Sequence, residues 1–411
     1  MLSLPRSRCL PLACALLALS ACGDDESTPA DTLPEGCDVY LTADAGEEAI
    51  QTALIEVQPS QTVCFAEGRF PFTSELSLSV DGVTLRGAGM DATVFDFTAQ
   101  EFGANGVAIT GDGCTVEDLQ VLDAKGDGVR GQSVDGITFR RLKVWWTADA
   151  SAESGAYGVY PVESTNVRVE DCVVKGASDA GVYVGQSRTI LVKGNEVFGN
   201  VAGIEIENSV DAEVVDNHVH DNVGGILVFA LPELPMKDAE RSLVHDNLIE
   251  NNNVPNFARS GSIVSMVPGG TGAFIMASNH NEFTNNTFRG NLSAGMMIVD
   301  YMPALFGTYE DAAFTPAPVG NHLHGNTYED NGGGPMGILA DLGLEAPAYD
   351  VLMTGCPTME APSDAERTCV REDPAIRFVN LNLGLCGGSD MPDTDPAPYA
   401  CSHDPLPTQD P

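Results

Sequence analysis

The segments ILVKGNEVFGN, AEVVDNHVHDN and SLVHDNLIENN, at residues 190–200, 212–222 and 242–252, align without gaps. Each has an apolar third residue, an asparagine at the sixth position, and the same alternation between them. Five further segments share the apolar third position: CTVEDLQVLDA (114–124), ITFRRLKVWWT (137–147), VRVEDCVVKGA (167–177), NEFTNNTFRGN (281–291) and NHLHGNTYEDN (321–331). Segment starts are 22 or 23 residues apart wherever no insertion intervenes. A fixed period of this length is typical of a solenoid.

A second motif, a glycine followed by apolar residues, precedes most of these segments by about nine residues. It occurs at Gly106, Gly128, Gly158, Gly181, Gly203, Gly225, Gly272, Gly295 and Gly337. Each unit therefore contains two or three short strands, and a unit of this size buries its apolar face only by stacking on copies of itself. The period lacks the leucine spacing of a leucine-rich repeat and the length of a propeller blade. The sequence predicts an all-β fold, a right-handed parallel β-helix.

The sixth position of the segments predicts an inward ladder of stacked side chains. It is occupied by Leu119, Leu142, Cys172, Asn195, Asn217, Asn247, Asn286 and Asn326. At a coil spacing of about 4.8 Å, asparagine amides bond to each other and to the turn backbone. This ladder is the feature that favours a β-helix most strongly.

Several longer strings carry a resemblance to a known family. They are GAYGVYPV (155–162), ASDAGVYVGQS (177–187), GIEIENS (203–209) and GILV (225–228). With the repeat, they resemble the pectin-lyase-like superfamily, and more closely a group of bacterial lipoproteins described as parallel β-helix repeat proteins, over about residues 82–301. The resemblance implies the fold and export, and it carries no agreed reaction.

Composition narrows the function. The 411 residues carry a formal charge of −39, with 20 Lys and Arg against 59 Asp and Glu. Nucleic acid and anionic membrane surfaces require clustered cations, so neither is expected as a partner. The 43 glycines and 25 prolines leave little room for long helices.

The N-terminus has the features of a lipoprotein signal. Arg6 and Arg8 precede a short apolar run, and Leu19 to Cys22 resemble the site at which bacterial lipoproteins are cleaved and acylated on cysteine. We expect a signal peptide at 1–21, a lipid on Cys22 and an acidic tether at 22–36. The expected location is the cell envelope, at the outer membrane, with the lipid as the only membrane contact. An ordinary secretory signal is the alternative.

The domain boundaries and disulfides follow from the repeat. We expect the β-helix at 37–340, capped by an amphipathic helix within 46–58 and pinned by Cys37–Cys64, and a cysteine-containing extension at 341–411. Nearest-neighbour pairing in that extension joins Cys356 to Cys369 and Cys386 to Cys401. Cys114 and Cys172 are expected as buried free thiols because their coils are too far apart for a disulfide.

Insertions at both ends of the glycine-apolar strands predict a walled groove along one sheet face. Its outward-facing floor is predicted to be, in axial order, Ala108, Arg130, Tyr160, Tyr183, Glu205, Leu227, Phe274, Met297 and Leu339. The last members are apolar and are expected to pack beneath the insertions. The alternative for the polar members is a structural surface ladder.

Two hypotheses follow for the groove. In the first, the protein is a polyuronate lyase or epimerase, with Tyr160 or Tyr183 as base and acid and Arg130 or Arg141 holding the substrate carboxylate. Asp179 and Glu205 would orient the substrate or bind Ca²⁺, for which the turn residues Asp112, Asp123, Asp127 and Asp135 are further candidates. Additional ligand-binding candidates are Arg140, Arg141, Lys143, Trp145 and Trp146.

In the second hypothesis the protein is a non-catalytic cell-surface module that binds a glycan or scaffolds a partner. The absence of the paired-aspartate motif of polygalacturonases and of the Asp-Pro-His motif of alginate epimerases favours it. A monomer is expected under either hypothesis. His218 and His220 lack an evident third ligand, so no metal site is assigned from the sequence.

Overall fold

The computed structural model describes residues 33–355, 363–383 and 392–411. Two parallel sheets wind along one axis. An 11-stranded sheet contains Ser74–Leu78, Phe102–Ile109, Asp127–Gln132, Tyr157–Val162, Ala180–Gly185, Ala202–Glu207, Gly224–Phe229, Thr271–Met276, Ala294–Val299, Tyr349–Met353 and Phe378–Asn380. Its strands pair in axial order, which confirms the predicted parallel β-helix.

The other sheet has 20 strands and forms the remaining wall of the coil. They are Val39–Leu41, Thr62–Phe65, Gly68–Pro71, Thr84–Arg86, Thr93–Asp96, Cys114–Leu122, Asp135–Trp145, Thr165–Glu170, Val173–Lys175, Arg188–Lys193, Glu196–Phe198, Val210–Val215, His218–His220, Glu240–His245, Leu248–Glu250, Glu282–Thr284, Thr287–Arg289, His322–His324, Thr327–Glu329 and Cys369–Arg371. The long strands Cys114–Leu122 and Asp135–Trp145 join its two columns.

Helices are few and short. The helix Glu47–Glu56 closes the N-terminal end, where Ile50 and Leu54 pack into the solenoid core, and Cys37–Cys64 holds the segment beside it. The others are Pro303–Phe306 and Ile338–Asp341, with 3₁₀ turns at Ile263–Met266, Asp364–Glu366 and Ala397–Tyr399. The cap and its disulfide are as predicted. No helix among the described residues is long and apolar enough to cross a membrane.

The interior is apolar with stacked amides at its corners. Asn195 Nδ2 donates to Asn217 Oδ1 at 2.9 Å, and the same bond repeats to Asn247 at 2.9 Å, to Asn286 at 2.9 Å and to Asn326 at 3.0 Å. The predicted ladder is therefore present. A second, unpredicted ladder runs through Asn200, Asn222, Asn252, Asn291 and Asn331. It occupies the eleventh position of the same segments.

The C-terminal region departs from the prediction. Parallel pairing continues past residue 340 through Tyr349–Met353 and Phe378–Asn380, so the ladder extends beyond the expected boundary. Leu352, and not Leu339, pairs with Met297; Leu339 lies in the short helix Ile338–Asp341. That glycine-apolar motif belongs to a connection between coils.

The predicted C-terminal disulfide pairing is wrong. Cys369 bonds to Cys401 because the chain after residue 392 returns along the outer face of the 20-stranded sheet. Cys356 and Cys386, like the predicted signal peptide and Cys22, lie outside the described residues. Cys114 and Cys172 are buried free thiols, as expected.

Candidate functional site

The outward face of the 11-stranded sheet carries the predicted column of side chains. Arg130 pairs with Tyr160, and Tyr183 pairs with Glu205, so these residues occupy equivalent positions on successive coils. The column continues through Leu227, Phe274 and Met297. Side chains alternate along each strand, with Val182 and Val184 in the interior core and Tyr183 outside it. The register is set by this alternation.

The apolar half of this face is covered. Val264, Tyr301 and Phe314 from the insertions pack with Leu227 and Phe274 in a second hydrophobic cluster outside the solenoid core. A cavity of about 560 Å³ remains between the insertions and the sheet. Its lining is mostly apolar, and one wall carries Tyr157, Asp179, Glu205 and Glu207. The predicted groove is thus a covered cavity with a polar wall.

Tyrosines and carboxyl groups are paired at that wall. The Tyr183 hydroxyl donates to Glu207 Oε2, and Tyr157 and Asp179 line the same cavity wall. The rings of Tyr157 and Tyr183 are 4.5 Å apart, and Tyr160 lies 5.0 Å from Tyr183. The Tyr183 side chain lies against Gly185, where a Cβ would be 2.4 Å from its hydroxyl oxygen. Gly185 therefore permits the position of Tyr183.

Burial shifts the protonation equilibria of the carboxyl groups. It raises the pKa of Glu207 to about 7, opposed by the hydrogen bond from Tyr183. Burial, then Glu207 and Asp127, raise the pKa of Asp179 to about 7, and Tyr157 opposes them. The pKa of Glu205 is held well above its usual range by burial and by Asp179 and Glu207. At neutral pH the cluster therefore retains protons.

Glu205 differs from its neighbours because it is incompletely bonded. It is 2% exposed, and its Oε1 has no hydrogen-bond partner within the described part of the chain. Buried polar atoms without partners are rare in folded proteins and commonly mark functional positions. Together with the raised pKa values, this makes the polar wall the strongest candidate site on the sheet face.

Arg130 provides a positive charge beside Tyr160 and Asp127, while Arg259 lowers the pKa of Asp179 within the cluster. The guanidinium carbon of Arg130 is 4.9 Å from the centre of the Tyr160 ring, and its Nε is buried without a partner among the described residues. Burial raises the pKa of Asp127 to about 6, although Arg130 opposes that shift. Arg130 and Tyr160 are only partly buried and form the outer edge of the site.

Sequence reasoning missed Tyr157 and Glu207, and it named Asp127 only as a possible calcium ligand. Glu207 lies two residues after Glu205 on the same strand, so the period-two alternation that identified Glu205 also identifies it. Tyr157 is the first residue of the strand containing Tyr160, and Asp127 begins the strand containing Arg130. The signal available in the sequence was a second outward-facing residue on each strand that contributes to the column.

Five ligand-binding candidates lie elsewhere. Arg140, Arg141, Lys143 and Trp145 belong to Asp135–Trp145 of the 20-stranded sheet, on another face of the solenoid. Arg140 Nε is 2.5 Å from Glu117, Arg141 Nε is 2.7 Å from Asp118 and Lys143 Nζ is 2.7 Å from Asp91.

The two tryptophans of this set have structural environments. Trp146 is 3% exposed in the interior core and donates to the Ala124 carbonyl at 2.7 Å, so its ring has no free face for a sugar. The ammonium groups of Lys143 and Lys175 lie over the Trp145 ring, 5.0 and 4.8 Å from its centre. The structure thus separates these residues from the tyrosine-carboxyl cluster.

The predicted calcium ligands divide between two places: Asp127, Asp179 and Glu205 lie at or beside the polar wall, whereas Asp112 and Asp123 lie in turns elsewhere. Asp112 accepts from the Asp135 backbone at 2.8 Å, and Asp123 accepts from the Thr147 backbone at 2.7 Å, so both hold adjacent coils together. Within the described residues, close three-residue groups of metal-ligating side chains occur at Glu196, His218 and His220, and at Glu282, His322 and His324. Neither group contains a predicted calcium ligand.

Comparison with known proteins agrees with this fold. Residues 81–234 match the family model described as the right handed beta helix region. The chain is similar to the A-module of mannuronan C-5 epimerase AlgE4 from Azotobacter vinelandii, with a TM-score of 0.57 and 15% identity over 81% of this chain and 95% of that one. For the AlgE6 A-module of the same organism the TM-score is 0.50, with 19% identity over 80% of each chain. No curated protein matches the sequence.

At these identities the likeness concerns the fold. The family match, the repeat and the stacked coils define a right-handed parallel β-helix protein. This is the fold that the repeat in the sequence predicted.

Proposed function

We propose that this protein acts on an acidic polysaccharide at the polar wall of the sheet-face cavity, by lyase or epimerase chemistry. The observation that carries the proposal is the cluster of Asp179, Glu205 and Glu207, whose pKa values are raised towards or above neutrality beside two tyrosine hydroxyls. Similarity to polysaccharide-modifying epimerase modules supports a polysaccharide as the substrate class.

The cluster supplies an acid and a base near neutral pH. Both reactions begin when a base removes the proton on the carbon next to the sugar carboxylate. Glu207 faces the cavity and is the assigned base, with Tyr183 as a positioning residue that bonds to it. A lyase then expels the neighbouring glycosidic oxygen as a carbon-carbon double bond forms; an epimerase returns a proton to the opposite face. Tyr157, which lines the cavity with Asp179, is the assigned acid.

The developing charge on the substrate carboxylate also needs stabilisation. We assign the protonated Glu205 side chain, which has an unpaired oxygen, as the hydrogen-bond donor to that group. Arg130, at the outer edge, attracts the polyanion and its guanidinium fork suits a carboxylate. Tyr160 provides an aromatic surface on which a sugar ring stacks.

The test uses purified protein and a panel of acidic polysaccharides. Lyase activity is followed by the ultraviolet absorbance of the unsaturated product, and epimerase activity by deuterium incorporation from D₂O, measured by NMR. We expect Glu207→Gln to lower the rate by about 10²–10⁴-fold, the usual size of acid–base catalysis. Arg130→Ala is expected to raise KM more than it lowers kcat.

Tyr301→Phe is the matched control for Tyr157→Phe. Tyr301 is buried and its hydroxyl donates to the Phe306 carbonyl at 2.9 Å, but it does not line the cavity that contains the polar wall. Activity should fall in Tyr157→Phe and persist in Tyr301→Phe. Equal effects of the two changes, or no turnover of any polysaccharide by the wild-type protein, would refute the catalytic assignment.

The second candidate is non-catalytic binding of an acidic polysaccharide. The observation that favours it is that Tyr183 and Glu207 are 5% and 6% exposed and bonded to each other, as in a structural pair. Saturable, salt-sensitive binding with neither product formation nor deuterium incorporation, and with binding weakened by Arg130→Ala, would favour this function.

We further propose that the protein is exported and anchored to the outer membrane through a lipid on Cys22. The motif from Leu19 to Cys22 supports this. In a bacterial expression host, Cys22→Ser is expected to abolish labelling by a radioactive fatty acid and to release the protein from the membrane fraction. Membrane partitioning unchanged by this substitution would overturn the proposal.

A further inference from the structure

A second group of convergent side chains lies on the outer face of the 20-stranded sheet. Glu282 and His322 are directly paired on neighbouring strands, and His324 is two residues further on. All three point outward, because Phe283 and Leu323 between them lie in the interior core. One ligand atom from each of the three residues lies within 4.8 Å of the others.

His322 is the unexplained member of this group. It is 6% exposed, yet both of its ring nitrogens are buried without a hydrogen-bond partner in the described part of the chain. Leaving a buried polar group unpaired costs free energy, so native structures rarely do so. The ring is stacked on His324, with centroids 4.2 Å apart, which directs both imidazoles to the same place.

Neighbouring groups hold Glu282 and His324 in place, as such contacts commonly hold metal ligands. Glu282 Oε1 is 2.8 Å from His324 Nε2, while its Oε2 accepts the Leu406 backbone N–H at 2.6 Å. Thr284 Oγ1 is 3.3 Å from His324 Nδ1 and orients that ring. Metal-bound carboxylates and imidazoles are usually held by such outer contacts.

We propose that Glu282, His322 and His324 form a binding site for a divalent transition-metal ion of the Zn²⁺ type. Two imidazoles and one carboxylate are a characteristic ligand set for this ion. Ligand atoms around a tetrahedral Zn²⁺ are about 3.3 Å apart, so small ring rotations bring the present group into position. The ion takes up the free ring nitrogen of His322 and replaces the contact between Glu282 and His324.

The site lies beneath the returning C-terminal segment. Leu406 bonds to Glu282, and the His403 ring centre is 5.8 Å from that of His322. Metal binding therefore joins two coils of the solenoid at the place where this segment crosses them, and we expect it to stabilise the C-terminal end.

The group Glu196, His218 and His220 is a natural comparison on the same molecule. There Glu196 is exposed, and the histidines already contact other carboxylates, His218 with Glu250 at 3.0 Å and His220 with Asp221 at 2.8 Å. We expect this group to bind Zn²⁺ more weakly, which makes His218→Ala the control for His322→Ala.

The experiment is titration calorimetry with Zn²⁺ on the full chain, prepared without a polyhistidine tag and freed of metal by chelation. We expect one tight site, a higher melting temperature with Zn²⁺, and loss of at least ten-fold in affinity in His322→Ala but not in His218→Ala. Co²⁺ substitution should give the visible absorption of a tetrahedral site in the wild type and in His218→Ala but not in His322→Ala. Glu282→Gln, which keeps the shape of the side chain, serves if His322→Ala fails to fold.

Affinity unchanged by both His322→Ala and Glu282→Gln would overturn the proposal. So would loss of the tight site in His218→Ala alone, since that result would place the ion at Glu196 and its neighbours. Absence of a tight site in the wild-type protein would have the same consequence. None of these outcomes depends on polysaccharide activity.

Discussion

Two sets of buried polar side chains in this molecule differ in whether their hydrogen bonds are complete. Inside the solenoid, the amide of Asn217 accepts from Asn195 and donates to Asn247 and to the Val192 carbonyl. On the outer face, Glu205 is buried as deeply but keeps an oxygen without a partner among the described residues. The first arrangement supports the fold, whereas the second costs stability and is consistent with a role in binding or chemistry.

The largest effect on stability is expected inside the ladder. Asn217→Leu fits sterically, because Leu119 and Leu142 occupy the same position in earlier coils. It leaves the backbone N–H and the amide of Asn195 without their shared acceptor, and the Val192 carbonyl without a donor. We expect a loss of about 3–6 kcal/mol in the free energy of unfolding, measured by denaturant titration.

The control for this change is Thr327→Leu, on an exposed position of a nearby strand. It should alter stability by less than about 0.5 kcal/mol. If Asn217→Leu is as mild as the control, the ladder does not support the fold and the contrast with Glu205 disappears.

Replacing a buried polar side chain with leucine should have the opposite effect on stability at the tyrosine-carboxyl cluster. Glu205→Leu replaces a buried, incompletely bonded carboxyl with an apolar side chain, and such replacements are neutral or stabilising by about 1–4 kcal/mol. We expect unfolding of this variant at pH 8 to require as much denaturant as the wild type or more. A clear destabilisation would show that Glu205 belongs with the structural amides.

The pH dependence of stability tests whether folding raises the pKa values of the clustered carboxyl groups. Folding raises the pKa values of Glu207 and Asp179 from about 4 to about 7, so between these values the native state binds more protons than the unfolded state. Their contribution therefore falls as pH rises from about 4 to 7, by up to about 1.4 kcal/mol per pH unit for each group. Glu207→Gln should show a shallower decline than the wild type, and parallel curves would contradict the raised pKa.

The smallest expected effect concerns the position of Tyr183. Gly185→Ala places a methyl group 2.4 Å from the Tyr183 hydroxyl oxygen, so the ring must move and its bond to Glu207 is lost. We expect a cost of about 1–2 kcal/mol in unfolding free energy and a fall in any polysaccharide activity. Gly334→Ala, where no neighbouring atom lies within 4 Å of the added carbon, is the matched control. Retention of full activity in Gly185→Ala would show that Tyr183 need not touch Glu207.

The sequence predicted what depends on coil-to-coil repetition. Asn217 and its equivalents, and the column from Arg130 to Glu205, recur at fixed offsets, so one alignment places them all. The alignment failed where the chain leaves the repeat. Gly337 has the motif without a strand, and Cys401 reaches Cys369 by a return path that spacing does not encode.

The site was only partly predictable for a related reason. A period of two along a strand assigns residues to a face, which located Tyr183 and Glu205. Arg140 and Trp146 were misplaced because cationic and aromatic residues were grouped by nearness in sequence, although Asp135–Trp145 lies in the other sheet. The pKa of a buried carboxyl group depends on the segments that cover it, and here the covering insertions are distant in sequence. The raised pKa of Glu207 therefore could not be predicted from the residues beside it in the chain.

The interior amides also give the solenoid a dipole along its axis. Every Asn in the ladder turns its oxygen towards the preceding coil and its nitrogen towards the next, so their dipoles add along the axis as peptide dipoles do in a helix. The column ends where Asn326 Nδ2 donates to Glu372 Oε1 at 2.6 Å. An acceptor-only carboxylate complements the positive end of the array and offers no donor for another coil. Glu372 thus caps the donor end of the stack.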